Sequence, residues 1–138
     1  MKKVITLGMV ILMLCAMTAP IHAVGSEITP YYNNTIRVSG RFQIEDDGVA
    51  EITLSFTGYT NCATGATLTS KIQKSTSNGW VDVSGASWVD EVDAPRKTLQ
   101  HTYQLSSKGT YRLVYEVVVR GTCGASDVIS ETIEDEYR

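Results

Sequence analysis

The chain has 138 residues, with 12 lysines and arginines against 15 aspartates and glutamates and a formal net charge of −3. This length corresponds to about one domain. The acidic balance argues against nucleic acid or an anionic membrane surface as a partner, since both carry negative charge themselves.

The first 23 residues have the composition of a secretory signal peptide. Lys2 and Lys3 give a positive start, and residues 4–17 form an uncharged, mostly apolar run. Ala23 follows as a small residue suited to cleavage. The apolar run is shorter than the ~20 residues that a membrane-spanning helix requires. We therefore predict a signal peptide helix over residues 1–23, no membrane span after cleavage, and a secreted, extracellular protein that could associate with the cell wall.

The remainder of the chain has the pattern of a β protein. Residues 24–34 hold a proline, two asparagines and no hydrophobic period, and we predict an N-terminal arm there. From residue 35 onward, apolar and polar residues alternate in short runs separated by turn sequences, as half-buried strands do. In the first run Ile36, Val38, Phe42 and Ile44 are expected on the core face. Predicted strands cover residues 35–44, 49–59, 66–76, 80–83, 88–92, 97–105, 110–119 and 126–133.

These elements predict an all-β domain over residues 35–138. The expected architecture is a single antiparallel β-sandwich of seven or eight strands, with closure into a barrel as the alternative. The run at 110–119 is the most hydrophobic and carries apolar residues on both faces, so it is predicted to be central in its sheet.

Cleavage after Ala23 would remove Cys15 and leave Cys62 and Cys123. Two cysteines in an exported domain indicate a disulfide first. Without a Cys-x-x-Cys pair, two cysteines and His101 cannot supply the four ligands of a structural zinc ion. We therefore predict a Cys62–Cys123 disulfide, no metal site and no cofactor.

The stretch Lys108-Gly-Thr-Tyr-Arg-Leu113 resembles the tyrosine corner of immunoglobulin-like sandwiches. There a tyrosine near the start of the sixth strand holds the preceding turn through its hydroxyl, which would be the structural role of Tyr111. Leu113 stands where antibody-type domains have a cysteine, so their inter-sheet disulfide is absent. In such a sandwich the loops that carry Cys62 and Cys123 lie at the same end, so the disulfide is expected to join two loops.

Most of the chain beyond the signal peptide also resembles a family of small secreted proteins of Gram-positive bacteria to which no activity is assigned. The resemblance implies secretion and a β fold, and it brings no functional residues. The shared features are a signal peptide, a Pro-Tyr-Tyr-Asn-Asn start at residues 30–34, Gly58-Tyr59, a lysine in the third strand, Trp80, Trp88 and Gly109-Thr-Tyr-Arg112.

The residues offer two candidates for catalytic or metal chemistry. A Ser-His-Asp hydrolase would have to use His101, which lies on the apolar register of its strand, and no Gly-x-Ser-x-Gly motif is present. Asp90, Glu91 and Asp93 could offer oxygen ligands to calcium, although their spacing is not that of a calcium loop. We therefore predict no catalytic residues, and calcium stays an open alternative.

The aromatic residues divide into predicted binding and structural groups. Tyr31, Tyr32 and Tyr59 adjoin arm or loop positions and are the predicted binding residues. Trp80 and Trp88 are predicted to fill the sandwich core.

The function predicted from the sequence is a secreted, noncatalytic binding or interaction module. Its partner would be a cell-wall glycan, a surface protein or an identical subunit. The alternatives are a small secreted hydrolase that uses His101, and a secreted toxin or bacteriocin-like effector.

Overall fold

The computed structural model describes residues 31–138. The predicted signal peptide and residues 24–30 of the predicted arm lie outside the described residues. Seven strands follow in the chain: β1 (Thr35–Ile44), β2 (Val49–Gly58), β3 (Ala63–Thr76), β4 (Gly79–Val92), β5 (Arg96–Gln104), β6 (Gly109–Gly121) and β7 (Asp127–Tyr137).

The strands form two antiparallel sheets that face each other. The three-stranded sheet has the order β1-β2-β5, and the four-stranded sheet has the order β4-β3-β6-β7. The prediction of an all-β, antiparallel sandwich of immunoglobulin-like type is confirmed, with seven strands and no barrel closure. Within residues 31–138 there is no helix long and apolar enough to cross a membrane.

The core lies between the sheets and comes from alternate residues of the central strands. In β2 and β6 every second side chain is buried, which follows from the two-residue period of a strand. Burying one such large apolar side chain contributes about 1.5–3 kcal/mol relative to leaving it in water. The largest buried apolar and aromatic side chains are Ile52, Leu54, Phe56, Leu68, Ile72, Tyr111, Leu113, Tyr115, Val117 and Val119.

Two local predictions were wrong. Residues 80–83 and 88–92 belong to one strand, β4, which pairs with β3 on both sides of a register shift between Lys71 and Gln73. A β-bulge interrupts pairing without ending a strand, so the broken polar–apolar alternation was misread as two strands. A second register shift in β1 leaves Ile36 without a partner and 55% exposed, rather than in the core.

Two buried tyrosines of β6, Tyr111 and Tyr115, make hydrogen bonds through their hydroxyl groups. The Tyr111 hydroxyl donates to the carbonyl of Ser107, 2.6 Å away, which is the hydrogen bond of a tyrosine corner. The Tyr115 hydroxyl donates to the Glu131 carboxylate of β7. Burial raises the pKa of Tyr115 far above its ordinary value, and the carboxylate raises it further, so this hydroxyl remains a donor at neutral pH.

Gly40 of β1 lies directly over the Tyr115 ring. A Cβ atom at residue 40 would lie 2.6 Å from a ring carbon, closer than any real contact. The absent side chain therefore lets the two sheets approach at this point.

Asp127, at the start of β7, holds the beginning of the described chain against the four-stranded sheet. Its carboxylate is buried and accepts from the backbone N–H groups of Asn33 (2.9 Å) and Asn34 (2.7 Å) and from the Thr35 hydroxyl (2.8 Å). Burial alone would raise the pKa of Asp127, but these donors outweigh it and hold the pKa below its ordinary value. The folded state thus favours the charged carboxylate.

We expect Asp127→Asn to destabilise the protein by about 2–4 kcal/mol at pH 7. The side-chain NH2 group of asparagine cannot accept a hydrogen bond, so at least one of the buried donors that Asp127 satisfies loses its partner. The pKa of Asp127 is lowered in the folded state, so its contribution is complete above the unfolded-state pKa. It is lost as the pH falls through the folded-state value.

Urea denaturation at pH 7 and at pH 3 measures this effect. The gap in unfolding free energy between wild type and Asp127→Asn should narrow at pH 3. Asp46→Asn, in the exposed β1–β2 turn, is the control and should change stability little at either pH. An equal gap at both pH values would contradict the role assigned to the charge.

Candidate functional site

One end of the sandwich is closed by a disulfide. Cys62, in the β2–β3 connection, is bonded to Cys123, in the β6–β7 connection, with 5.2 Å between their Cα atoms. The Thr122 N–H also donates to the carbonyl of Cys62, 2.9 Å away. The predicted pairing, and its placement between two loops, is confirmed. We call residues 31–35, 58–63 and 121–127 the clasped end.

Asn34 is fully buried at the centre of the clasped end. Its side-chain amide donates to the carbonyl of Ala125 (2.9 Å), and its side-chain oxygen accepts from the N–H of Cys123 (3.3 Å). Its backbone carbonyl accepts from the N–H of Tyr59 (2.8 Å). The side chain and the backbone carbonyl of Asn34 therefore connect the start of β1 to both of the loops that the disulfide joins.

Glycines allow this close approach. A Cβ atom at Gly121 would lie 2.1 Å from the side-chain oxygen of Asn34, and one at Gly58 would lie 2.8 Å from the Asn34 carbonyl oxygen. Because no other residue lacks a Cβ, these two positions require glycine as long as Asn34 occupies its place.

The structure places the three predicted binding tyrosines at the clasped end. Tyr31 is 89% exposed and Tyr59 is 45% exposed, whereas Tyr32 is partly buried. The hydrogen bond between Tyr59 and Asn34 brings the β2–β3 connection beside the segment that carries Tyr31 and Tyr32. Within the described chain, no ring stacking joins these tyrosines to one another. They form two separate exposed points on one rigid support.

Trp80 lies outside the core, so the prediction that it fills the sandwich interior was wrong. Its β4 position pairs with Ser75 on the outward register of β3. The guanidinium of Arg112 lies over its ring, 4.4 Å from the centroid. The register shift between β3 and β4, where residues 83–86 of β4 lie opposite the single residue Ile72, reverses which residues of the early part of β4 face inward.

Trp88 lies where the edge strands β4 and β5 face each other, partly buried against the core. It stacks on His101, with ring centroids 4.9 Å apart, and meets Tyr103 edge-on at 6.4 Å. His101 Nε2 is 2.7 Å from the carboxylate of Asp90, and the Tyr103 hydroxyl donates to the carbonyl of Ser84. We call Ser84, Trp88, Asp90, His101 and Tyr103 the β4–β5 seam.

The seam contains two members of a hydrolase triad but no bonded nucleophile. In a triad, one imidazole nitrogen contacts the carboxylate and the other contacts the nucleophilic hydroxyl. Among the described residues, the single side-chain hydrogen bond of His101 is the one to Asp90. This bond occupies Nε2, the nitrogen farther from the backbone, and one face of the ring is covered by Trp88. His101 and Asp90 therefore form a polar contact between β5 and β4, which belong to different sheets.

Of the three acids proposed as calcium ligands, Asp90 lies apart from the other two. Asp90 bonds His101 inside the seam, whereas Glu91, one residue later, faces outward and binds Thr67 and Arg120. Asp93 is almost fully exposed and lies 3.6 Å from the same arginine, so the guanidinium of Arg120 contacts both Glu91 and Asp93. Strand alternation separates Asp90 from Glu91, and within residues 31–138 no cluster of three or more metal-ligating side chains is found. The calcium alternative is therefore not supported at Asp90, Glu91 and Asp93.

Asn34 and Asp127 are the residues that the sequence prediction missed. The usable signal is the register of β7, in which Asp127 shares the inward face with Ile129. A carboxylate on a core-facing position needs hydrogen-bond donors. An asparagine next to a predicted strand carries no comparable signal, because asparagine is common in turns.

Comparisons with known proteins give one distant structural likeness. No protein-family model matches the chain, and no curated protein matches it. Among solved structures, the chain is similar to the CARDB domain of the PF1109 protein from Pyrococcus furiosus, determined in complex with di-metal ions. The likeness has a TM-score of 0.41 and 11% sequence identity, and it covers 75% of this chain and 96% of that chain. At this distance it assigns no residue and no ligand.

We expect Cys62→Ser/Cys123→Ser to lower the free energy of unfolding by about 4 kcal/mol in the chain-entropy description, since the bond closes a loop of 61 residues. The hydrogen bonds of Asn34 and Asp127 remain, so the β fold should persist at 25 °C with a lower melting temperature. Thermal melts by circular dichroism measure both effects. An unfolded double variant at that temperature, or an unchanged melting temperature, would contradict this account.

Proposed function

We propose that the protein is a secreted, noncatalytic binding module whose contact surface is the clasped end. The observation that carries the proposal is the pairing of exposure with rigidity. Tyr59 presents its ring to solvent while its own N–H is bonded to Asn34, in the loop that the disulfide closes. Tyr31 is also exposed and lies two residues before Asn33, the first residue whose backbone is held by Asp127. Rigid aromatic residues contribute contact area at a low cost in conformational entropy, which favours binding.

Secretion is part of this proposal. The composition of residues 1–23 supports it, because it is that of a signal peptide. The disulfide supports it as well, because such bonds persist in oxidising, extracellular surroundings.

The partner we propose is a cell-wall glycan or a surface protein. A tyrosine offers an apolar ring face that packs on the C–H groups of a sugar or on an apolar side chain, and a hydroxyl that donates or accepts a hydrogen bond. Two separate exposed rings suit a partner that extends across both. An identical subunit is the remaining partner class, and concentration-dependent self-association would identify it.

A hydrolase that uses His101 is the second candidate, because Asp90 contacts His101 at 2.7 Å. It is less favoured because catalysis also requires a nucleophile within hydrogen-bond reach of the free imidazole nitrogen. In the described part of the chain the seam instead joins two sheets. Activity that disappears in His101→Gln while the fold persists would favour the hydrolase.

We expect Tyr31→Ala/Tyr59→Ala to weaken binding by about thirtyfold or more, since aromatic anchors at an interface commonly contribute about 1–2 kcal/mol each. A glycan array and a pull-down from cell-surface extract, followed by titration of the captured ligand, measure the effect. Val81→Ala/Val89→Ala removes two exposed apolar side chains from β4, an edge strand outside the clasped end, and is the matched control.

The control should bind as the wild type does. If the tyrosine variant binds as tightly as the control, the clasped end is not the contact surface. Absence of any glycan, protein or self-association ligand would contradict the binding module itself.

A further inference from the structure

The two sheets differ in charge. Strands β1, β2 and β5 carry four basic residues and one acidic residue. Strands β3, β4, β6 and β7 carry four basic and nine acidic residues. An acidic protein therefore presents one basic sheet.

Three arginines lie on the outward register of the basic sheet. Arg37 and Arg96 flank Thr57 in one row across the three strands, and Arg41 lies two rows further along β1. Strand spacing places the backbones of Arg37 and Arg96 about 10 Å apart, and those of Arg37 and Arg41 about 14 Å apart. All three side chains are exposed.

None of these arginines is neutralised by a carboxylate of residues 31–138 within ion-pairing distance. Arg41 donates instead to the neutral side-chain oxygen of Gln43. By contrast, Arg120 and Lys71 of the other sheet each contact a carboxylate at about 3.0 Å. The positive charge of the basic sheet is thus available to a ligand.

Hydroxyl groups fill the space between the arginines. Ser39, Ser55 and Thr98 form the middle row, with Ser39 and Ser55 hydroxyls 2.7 Å apart, and Thr53 and Thr57 lie on either side. We call the outward-facing side chains of residues 37–41, 53–57 and 96–100 the arginine–hydroxyl patch. It contains no acidic, apolar or aromatic side chain. The nearest acid of these strands, Glu51, lies in the next row, toward the β1–β2 turn.

We propose that the arginine–hydroxyl patch binds an anionic polyhydroxy polymer, one whose repeating units carry phosphate or carboxylate groups among hydroxyls. Guanidinium groups bind such oxyanions by paired, charge-assisted hydrogen bonds. The serine and threonine hydroxyls donate to and accept from the hydroxyls of the polymer. A flat face with separated charges suits an extended chain rather than a small ion in a pocket.

Other anionic macromolecules fit less well. Single-stranded nucleic acid is held by aromatic side chains on which bases stack, and a membrane surface is held by inserted apolar side chains. A partner protein with an acidic surface would be expected to bind through an interface with an apolar centre, which requires apolar side chains on this sheet. The arginine–hydroxyl patch contains none of these side chains, and a single exposed apolar residue of β1, Ile36, adjoins it beside Arg37. This surface is separate from the clasped-end tyrosines, so the inference does not depend on the function proposed above.

Titration of the wild-type protein with poly(glycerol phosphate), polygalacturonate and neutral dextran tests the proposal. We expect binding to at least one of the two polyanions and none to dextran. The affinity should fall with rising salt, with a log–log slope of magnitude about 2 for three arginine contacts. The two polyanions distinguish phosphate from carboxylate as the recognised group.

Arg37→Gln/Arg41→Gln/Arg96→Gln should bind at least about tenfold more weakly and lose most of the salt dependence. Lys71→Gln/Lys108→Gln/Arg138→Gln removes the same charge from the other sheet and the ends of strands, and should bind within about threefold of wild type. Circular dichroism checks that both variants fold. The single variants Arg37→Gln and Arg96→Gln, each expected to be weakened, serve if the triple variant unfolds.

Three results would overturn the proposal. The first is equal loss in the two triple variants, which would mean a general charge effect. The second is the absence of polyanion binding at about 50 mM salt. The third is tighter binding to a single-stranded oligonucleotide or to phosphatidylglycerol vesicles than to either polymer. Unchanged binding of Tyr31→Ala/Tyr59→Ala to the polyanion would support a site distinct from the tyrosines.

Discussion

The buried carboxylate of Asp127 is the interaction on which the clasped end depends. A buried charge is costly unless donors surround it, and here Asn33, Asn34 and Thr35 supply them. Those residues lead into β1, in the three-stranded sheet, whereas Asp127 begins β7, in the four-stranded sheet. The same contact thus fixes the segment that carries the tyrosines and joins the two sheets. The disulfide adds a covalent bond between the β2–β3 and β6–β7 loops at the same end.

Both open sides of the sandwich are closed in the same way, by acidic side chains of the four-stranded sheet. On one side, Asp135 of β7 accepts from the N–H of Ile44 in β1, at 2.7 Å. On the other, Asp90 of β4 contacts His101 of β5. In each case an edge strand of one sheet supplies the carboxylate and an edge strand of the other supplies the partner. The sheets of an open sandwich share no backbone hydrogen bonds, so side chains must make these connections.

The periodicity of the sequence was sufficient for the sheet architecture and insufficient for local register. Alternation located all seven strands, with β4 predicted as two separate runs, because a two-residue period is a strong signal. The disulfide was predicted because the expected removal of Cys15 leaves two cysteines. Alternation misplaced Ile36, which is the extra residue of a β-bulge in β1, and Trp80, which lies before the register shift in β4 and so on the opposite face from the one that Trp88 indicates. Separate hypotheses covered His101, Asp90 and Trp88, although all three belong to the β4–β5 seam. Only the order of strands in the two sheets shows that β4 and β5 lie opposite each other.

Part of the charge asymmetry of the molecule has a structural cause. Three of the nine acidic residues of the four-stranded sheet, Asp90, Asp127 and Asp135, accept hydrogen bonds from the other sheet or from the segment that leads into it. The outward face of β1, β2 and β5 has no such structural demand and carries arginines that make no ion pair within residues 31–138. Exposed unpaired arginines contribute little to stability. Their concentration on one flat face is therefore better explained by a ligand outside the fold than by the fold itself.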